Sequence, residues 1–538
     1  MYASDVRLPN AVLVAMCVVA IALTGEASAA PAKKKAEAST KKAAPADSKA
    51  APADSKAAPA AGKRPGGLTF EPYKIQMLDG TTRDAELGRV YVPESRDRDT
   101  THLIHLAFIR WKSTSPKPGT PIVFLAGGPG IPGSSLARSP SYAKLFEKLR
   151  ALGDVILPDQ RGTGLSEPSL ACAPSAPEIT MFESETAMRQ ALLKQIEPCA
   201  AKARAIGIAI EAFDTRESAS DIEDIRRAIG AERVRLVAAS YGCELALEAI
   251  RLYPARIERA ALAGVRSPDK ALKLPGVLDL QLRRISGLVA QDPDYKANPA
   301  LETLARALID KLNDQPISLN AGPASGGGQQ TMRVGGAGLA AVLQGDLTEP
   351  RTVIAVPAML NAMAAGDFRF FLGRLQVLYN AMATGASVMS VSANCASGGN
   401  PERRAEVERE AGDSPFGNIR NLYMDPVLCS AIGARDLGPR YRNRIYSAVP
   451  ALFLSGALDA TTPSFEAEEV AWGFPNGTHL VVQNAFHDML PEESVQQVVV
   501  DFLGGTDVEG RRIAAPPLHF LSMDEARKLF DQQTQRPR

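Results

Sequence analysis

Short runs of unbroken apolar residues limit this chain more than any other feature. They are PIVFLA (121–126), DVILPD (154–159), VRLVAA (234–239), IERAALAGV (257–265), ALFLSGA (451–457) and HLVVQNA (479–485). A strand with one face in water alternates apolar and polar residues, so a strand without alternation is covered on both faces. Between the runs lie segments of helical period, 218–230 with a serine or aspartate N-cap and Gly230 as its stop, and 241–254 ending at Pro254. Strand–helix alternation predicts an α/β fold with a mostly parallel central sheet and helices on both faces. Upstream, LTFEPYKIQML, GRVYVPES and HLIHLAFIRW alternate and predict an antiparallel entry to the sheet. From about 266 to 440 the strand rhythm stops and the pattern is helical, with a Gly-rich break at 325–328, which predicts an inserted helical cap. The expected division is a core in two parts, 67–265 and 441–538, around a cap at 266–440.

The first 66 residues cannot form a core. Arg7 precedes a 15-residue apolar run (11–25) and then Ala27-Ser28-Ala29, the pattern of a cleaved signal peptide over 1–29. The run is shorter than the ~20 residues a membrane span needs, and no later stretch is long and apolar enough. Residues 30–66 are a low-complexity Ala/Pro/Lys tether with AAPADSK twice in succession. Nine Lys/Arg against three Asp/Glu make it a solvated spacer or a weak hold on an anionic cell envelope. The whole chain has a formal charge of +1, which gives no support for a nucleic-acid partner. Export predicts an oxidising compartment, periplasmic or extracellular. Of the cysteines beyond the leader, Cys243 falls at the start of a buried helix and reads as a packed thiol. The remaining four permit three connectivities, of which the local one, Cys172–Cys199 with Cys395–Cys429, is favoured.

The chemistry gathers where strands end. VRLVAA stops at Ser240 in A-x-S-x-G (Ala238, Ser240, Gly242), and a helix begins at once. Such a strand–helix turn needs small residues two positions either side and lifts its central side chain clear of the sheet. A serine hydroxyl needs a base, a carboxylate to orient the base, and donors for the oxyanion. GGPG at 127–130 follows PIVFLA and exposes backbone amides at Gly127 and Gly128; the Tyr241 amide at the helix start supplies another. Asp459 follows ALFLSGA in a turn, and His487 follows the last strand run 28 residues later. Each residue alone has a bland reading: a capping serine, a glycine loop, a solvated aspartate, a loop histidine. Together the order Ser, Asp, His, each after a strand, is that of a hydrolase triad.

GGPG, DQRGTGLSEP (159–168), SASDIEDIRRAIG and VRLVAASYG closely resemble the proline iminopeptidase and tripeptidyl aminopeptidase family of α/β-hydrolases. LSGALDATTP and NAFHDML resemble that family's acid and histidine segments. GGAGLAAVLQGDLTEP (335–350) and AMAAGDFRFFL (362–372) resemble the cap of its secreted tripeptidyl branch, and Cys395 and Cys429 its cap cysteines. The resemblance implies a nucleophile at Ser240, a proton shuttle at His487, an orienting acid at Asp459, and oxyanion amides from Gly127, Gly128 and Tyr241. Asp159 and Arg161, in the DQRG turn, are expected to be a buried structural pair beside the oxyanion turn. Two departures stand out. Ala126 replaces the histidine usual before GGPG in the prolyl branch. The family's amine-holding glutamates have no clear counterpart in 262–276, leaving Asp269, Asp346, Glu349 and Asp367 as candidates.

The expected function is an exported serine aminopeptidase that forms an acyl-enzyme with a peptide or small ester. An esterase or lactonase uses the same machinery, and a binding protein on a dead hydrolase scaffold is the reading from another class. Scattered histidines and cysteines suited to disulfides predict no metal and no cofactor. Activity should fall at acid pH as the histidine protonates.

Overall fold

A computed structural model of the chain describes residues 64–98, 102–321 and 330–534. The expected leader, nearly all of the tether and the Gly-rich break at 325–328 lie outside these residues. Twelve strands occur among the described residues: β1 (Leu68–Gln76), β2 (Thr82–Pro93), β3 (Leu103–Trp111), β4 (Ile122–Leu125), β5 (Val155–Pro158), β6 (Val234–Ala239), β7 (Ile257–Ala263), β8 (Ile317–Ala321), β9 (Gln330–Val334), β10 (Ala451–Gly456), β11 (Gly477–Gln483) and β12 (Ile513–Ala514). Ten of them form one sheet in the order β1-β2-β3-β5-β4-β6-β7-β10-β11-β12. β1, β2 and β3 enter antiparallel, β3 pairs antiparallel with β5, and every pairing from β5 to β12 is parallel. The parallel strands therefore end at one common edge, where open α/β sheets carry their sites.

Five of the six apolar runs are buried on both faces, successive side chains pointing to opposite sides; HLVVQNA is the exception, since β11 buries Leu480 and Val482 but leaves Val481 and Gln483 exposed near the sheet edge. Phe124, Val237 and Leu452 pack with Leu145, Phe146, Val499 and Phe502 of helices Pro140–Leu149 and Glu493–Leu503. Their neighbours Val123, Leu236 and Phe453 pack on the other face with Ile222, Ile225, Leu247 and Ile250 of helices Thr215–Ala228 and Tyr241–Leu252. Each fully buried Leu or Phe contributes about 1.5–3 kcal/mol.

Helix Thr215–Ala228 starts three residues before the serine expected to open it. Asp214 is the N-cap, its carboxylate accepting from Glu217 N at 2.9 Å, so 218–220 are already helical. Gly230 closes the turn at φ +72°.

Between β7 and β10, neighbours in the sheet, the chain is mainly helical. It also contains the β8–β9 antiparallel hairpin, which the helical pattern did not anticipate. Leu278, Leu282, Leu343, Phe371 and Leu375 of this segment share a buried cluster with Ala460 and Phe486. Those two residues adjoin Asp459 and His487, so the helical segment packs directly on both loops. The disulfides are Cys172–Cys199 and Cys395–Cys429, as favoured from sequence, and Cys243 is a buried free thiol.

Candidate active site

The turn after β6 is tight. Ser240 has φ 56° and ψ −122°; among the described residues only Asn484 shares a positive φ without being glycine. Such backbone costs on the order of 1–3 kcal/mol and persists where its surroundings fix it. Ser240 N donates to Ala263 O at 2.9 Å, and Ser240 O accepts from Cys243 N at 2.9 Å. Gly242 is required: a Cβ there would stand 2.1 Å from Leu125 O. Ala238 is fully buried. The hydroxyl-bearing residue thus stays partly exposed between buried neighbours.

Asp459 and His487 leave β10 and β11 at the same edge. His487 Nδ1 lies 2.9 Å from Asp459 Oδ2. The second carboxylate oxygen accepts from Thr461 N (2.7 Å) and Thr462 N (2.9 Å), and Thr462 Oγ1 donates to Oδ2 at 2.7 Å. Burial works to raise the Asp459 pKa, but the His487 imidazole and the Thr462 hydrogen bonds outweigh it and hold the carboxyl below its usual range. The imidazole rests on Gly264, where a Cβ would lie 3.0 Å from His487 Cε1. Gly264 follows Ala263, the acceptor of the Ser240 amide, so β7 links the serine turn to the histidine. Among the described residues no hydrogen bond joins Ser240 Oγ to His487; in unliganded hydrolases that contact is often long.

The glycine turn closes over Ser240. A Cβ on Gly127 would meet Ser240 Cβ at 3.0 Å and its Oγ at 3.6 Å. Gly128 has φ +111° and precedes a cis Pro129. Gln160 Nε2 donates to Ala126 O at 2.9 Å, and Ser390 Oγ of helix Val388–Ser397 donates to Pro129 O at 2.8 Å. The Tyr241 amide opens helix Tyr241–Leu252, has no acceptor within that helix and lies at its positive end. The Tyr241 ring points away: its hydroxyl pairs with Thr215 Oγ1 at 2.9 Å, and burial pushes its pKa well up.

Asp159 and Arg161 are both buried but do not pair with each other. Arg161 binds Asp221 through Nε (2.8 Å) and Nη2 (2.6 Å), along with the carbonyls of Glu94 and Ala212. Asp159 accepts from Ser134 N (2.8 Å), Ser134 Oγ (2.8 Å) and Leu165 N (2.7 Å), bracing the segment after the glycine turn. Burial lifts its carboxyl to about 6 against those hydrogen bonds.

The candidate amine-binding acids separate cleanly. Asp346 is paired with Arg374, Asp367 with Arg369, and Asp269 accepts from Ser267 Oγ at 2.6 Å. Glu349 is half-buried within electrostatic reach of His487 and Asp488. Burial lifts it to about 7, the Arg351 amide opposing and Asp488 reinforcing. Thr462, Gln160 and Ser390 were not singled out from the sequence. Thr462 alone had a local signal, three residues after Asp459 in DATT. Nor was Glu244, buried on the serine helix, which pairs with Arg266 (2.7 Å) and accepts from Tyr441 OH (2.6 Å) and Ser397 Oγ (2.5 Å).

Among the described residues no group of His, Cys, Asp and Glu could hold a metal ion, and no helix is long and apolar enough to cross a membrane.

Comparison with known proteins bears on the family. A model of the α/β-hydrolase fold matches residues 120–313, and a model of TAP-like proteins matches residues 414–512. YuaR of Escherichia coli K12 is 31% identical over 167 residues, 31% of this chain and 32% of that protein. Serine protease Hip1 of Mycobacterium tuberculosis is 25% identical over 222 residues, 40% of this chain and 41% of that one. The chain thus matches well under half the length of these relatives. A solved thermophilic esterase from Thermogutta terrifontis is 15% identical, with a TM-score of 0.32 across 81% of this chain and 98% of its own. With the hydrolase match running through the Ser240 turn and the TAP-like match through the Asp459 and His487 loops, the chain belongs to the α/β-hydrolase family and over 414–512 is similar to its TAP-like proteins.

Proposed function

We propose that this chain is an exported serine aminopeptidase that cuts residues or short peptides from peptide N-termini. The observation that carries the reading is the 2.9 Å contact of His487 with a buried Asp459, the imidazole resting on the glycine next to the carbonyl that fixes the Ser240 turn. Ser240 Oγ attacks the scissile carbonyl and His487 takes its proton. Asp459 holds the imidazole and stabilises its cationic form. The amides of Tyr241 and the Gly127–Gly128 turn receive the developing oxyanion. The imidazolium then protonates the leaving amine, and water, deprotonated by the same histidine, releases the acid.

Peptide rather than ester chemistry is favoured by Glu349, a half-buried carboxylate beside His487 suited to a substrate ammonium. Residues 266–440 act as a cap that limits entry to short chains; Ser390 on the glycine turn and the apolar contacts at Ala460 and Phe486 support that role. Export is supported by the leader pattern and two disulfides. In this reading the basic tether is a solvated spacer that makes a weak contact with an anionic cell envelope.

Turnover of aminoacyl- and tripeptidyl-chromogenic amides, with and without N-terminal blocking, tests the reading. Cleavage of the free-amine amides is expected. Rapid ester cleavage with no amide turnover would make the chain an esterase or lactonase instead.

A further inference from the structure

Two cations near the acid loop have no side-chain hydrogen bond or ion pair among the described residues. Lys273 lies just before helix Pro275–Val289, and its Nζ is covered and without a hydrogen bond. Its backbone is clamped by Asn421, which accepts from Lys273 N at 2.8 Å and donates to Lys273 O at 2.9 Å. The next residue back, Arg420, has no hydrogen bond or ion pair among the described residues and lies within electrostatic reach of Asp459 and Glu466.

The nearby anions each hold another cation, although Glu466 keeps one buried carboxylate oxygen without a hydrogen bond. Glu466 binds Arg403, Glu244 binds Arg266, and Asp459 holds His487. Positive charge is left over. Burial draws the Lys273 ammonium down to about 7, with Arg266, Arg420 and Arg403 adding to the effect against Glu466. Burial likewise draws Arg420 down to about 10. A covered ammonium without a hydrogen-bond partner is costly, and a carboxylate is the ligand that best satisfies it together with the partly exposed guanidinium of Arg420.

We propose that Lys273 and Arg420 form a carboxylate-binding subsite, so that preferred substrates carry an anionic carboxylate close to the bond cut. This rests on the peptidase reading and deepens it. The carboxylate comes either from an acidic side chain or from the free C-terminus of a short peptide, and the recognising chemistry is the same.

The test uses the Ser240→Ala chain, which binds without turnover, and calorimetric titration with two pairs of peptides. One pair is Ala-Ala-Ala as free acid and as C-terminal amide; the other is Ala-Glu-Ala-amide and Ala-Gln-Ala-amide. In at least one pair the acid is expected to bind tenfold or more tighter, and Lys273→Met and Arg420→Gln each to remove that preference. Preference in the first pair assigns the C-terminus as the source, and in the second the side chain. Equal binding within both pairs, no measurable binding of any acid, or a preference that survives both substitutions overturns the subsite. In the last two cases Lys273 is only a covered positive charge within electrostatic reach of Glu466. Both substitutions remove an unpartnered charge, and should either variant fail to fold, the acid-to-amide ratio and the other variant still decide. Fluorophosphonate labelling of the unmutated chain separates the two failures. Labelling without an acid preference refutes the subsite alone, whereas an acid preference without labelling refutes the serine-hydrolase reading.

Discussion

Asp459 meets His487 at 2.9 Å while accepting three further hydrogen bonds from Thr461 and Thr462, so the carboxylate is held on both oxygens before any substrate arrives. In the proposed triad an orienter fixed in this way sets which imidazole nitrogen carries the proton. Asp459→Asn keeps the shape but presents an amide that can donate to Nδ1 and favour the wrong tautomer. A kcat loss of about 10⁴ with little change in fold is expected, measured as ester turnover alongside circular dichroism.

Thr462 Oγ1 lies 2.7 Å from Asp459 Oδ2 and 3.1 Å from His487 Nδ1. Thr462→Val removes one hydrogen bond to a charged group, about 1.5–3 kcal/mol. Turnover should fall roughly ten- to a hundredfold, with KM for a neutral ester nearly unchanged. Equal activity would mean that the two backbone amides alone fix the carboxylate.

Gly242→Ala tests the geometry of the serine turn. The added methyl would sit 2.1 Å from a backbone oxygen of β4, which cannot yield without moving the strand. Loss of soluble protein, or destabilisation above about 3 kcal/mol, is expected. A soluble and active alanine variant would contradict the described turn.

Glu349 supplies a pH signature. It must be ionised to hold an ammonium, and burial sets its carboxyl near 7, among Asp488, Arg351 and His487. Affinity for free-amine peptides over N-acetylated ones should rise as pH passes through about 7. It should fall again above about 8, where the substrate amine loses its proton. Glu349→Gln should flatten this ratio while sparing turnover of blocked esters.

Asp159 gives a stability signature of opposite sense. Its folded pKa, about 6, lies above the ordinary 3.8, so the folded state holds the proton more tightly. Its contribution is greatest in acid and declines as pH rises between those values, by about 3 kcal/mol in all. Denaturant unfolding of the native chain and Asp159→Asn, compared at pH 4 and pH 7, should show the native chain losing ground to the variant by that order.

The inner parallel strands were legible because burial on both faces removes alternation, and the triad candidates because each follows a parallel strand; β11, before His487, is open on one face. The start of helix Thr215–Ala228 was missed although Asp214 and Glu217 stand three apart as a capping pair; the serines at 218 and 220 offered a competing cap. The partner of Arg161 was not legible, since Asp221 lies sixty residues away and only the fold joins them. Ser390 and Gln160 were hidden for the same reason: each acts through a backbone carbonyl of the glycine turn, which leaves no trace in residue type. The β8–β9 hairpin is five residues a side, too short for its alternation to stand out among helices.

The central claim is that Ser240 is a nucleophile activated by His487. Treating the folded chain with a fluorophosphonate and locating the adduct by mass spectrometry tests it most directly. The account predicts one adduct, on Ser240, formed at least a hundredfold more slowly in His487→Ala. A folded chain that takes up no label, or carries it on another residue, would contradict it.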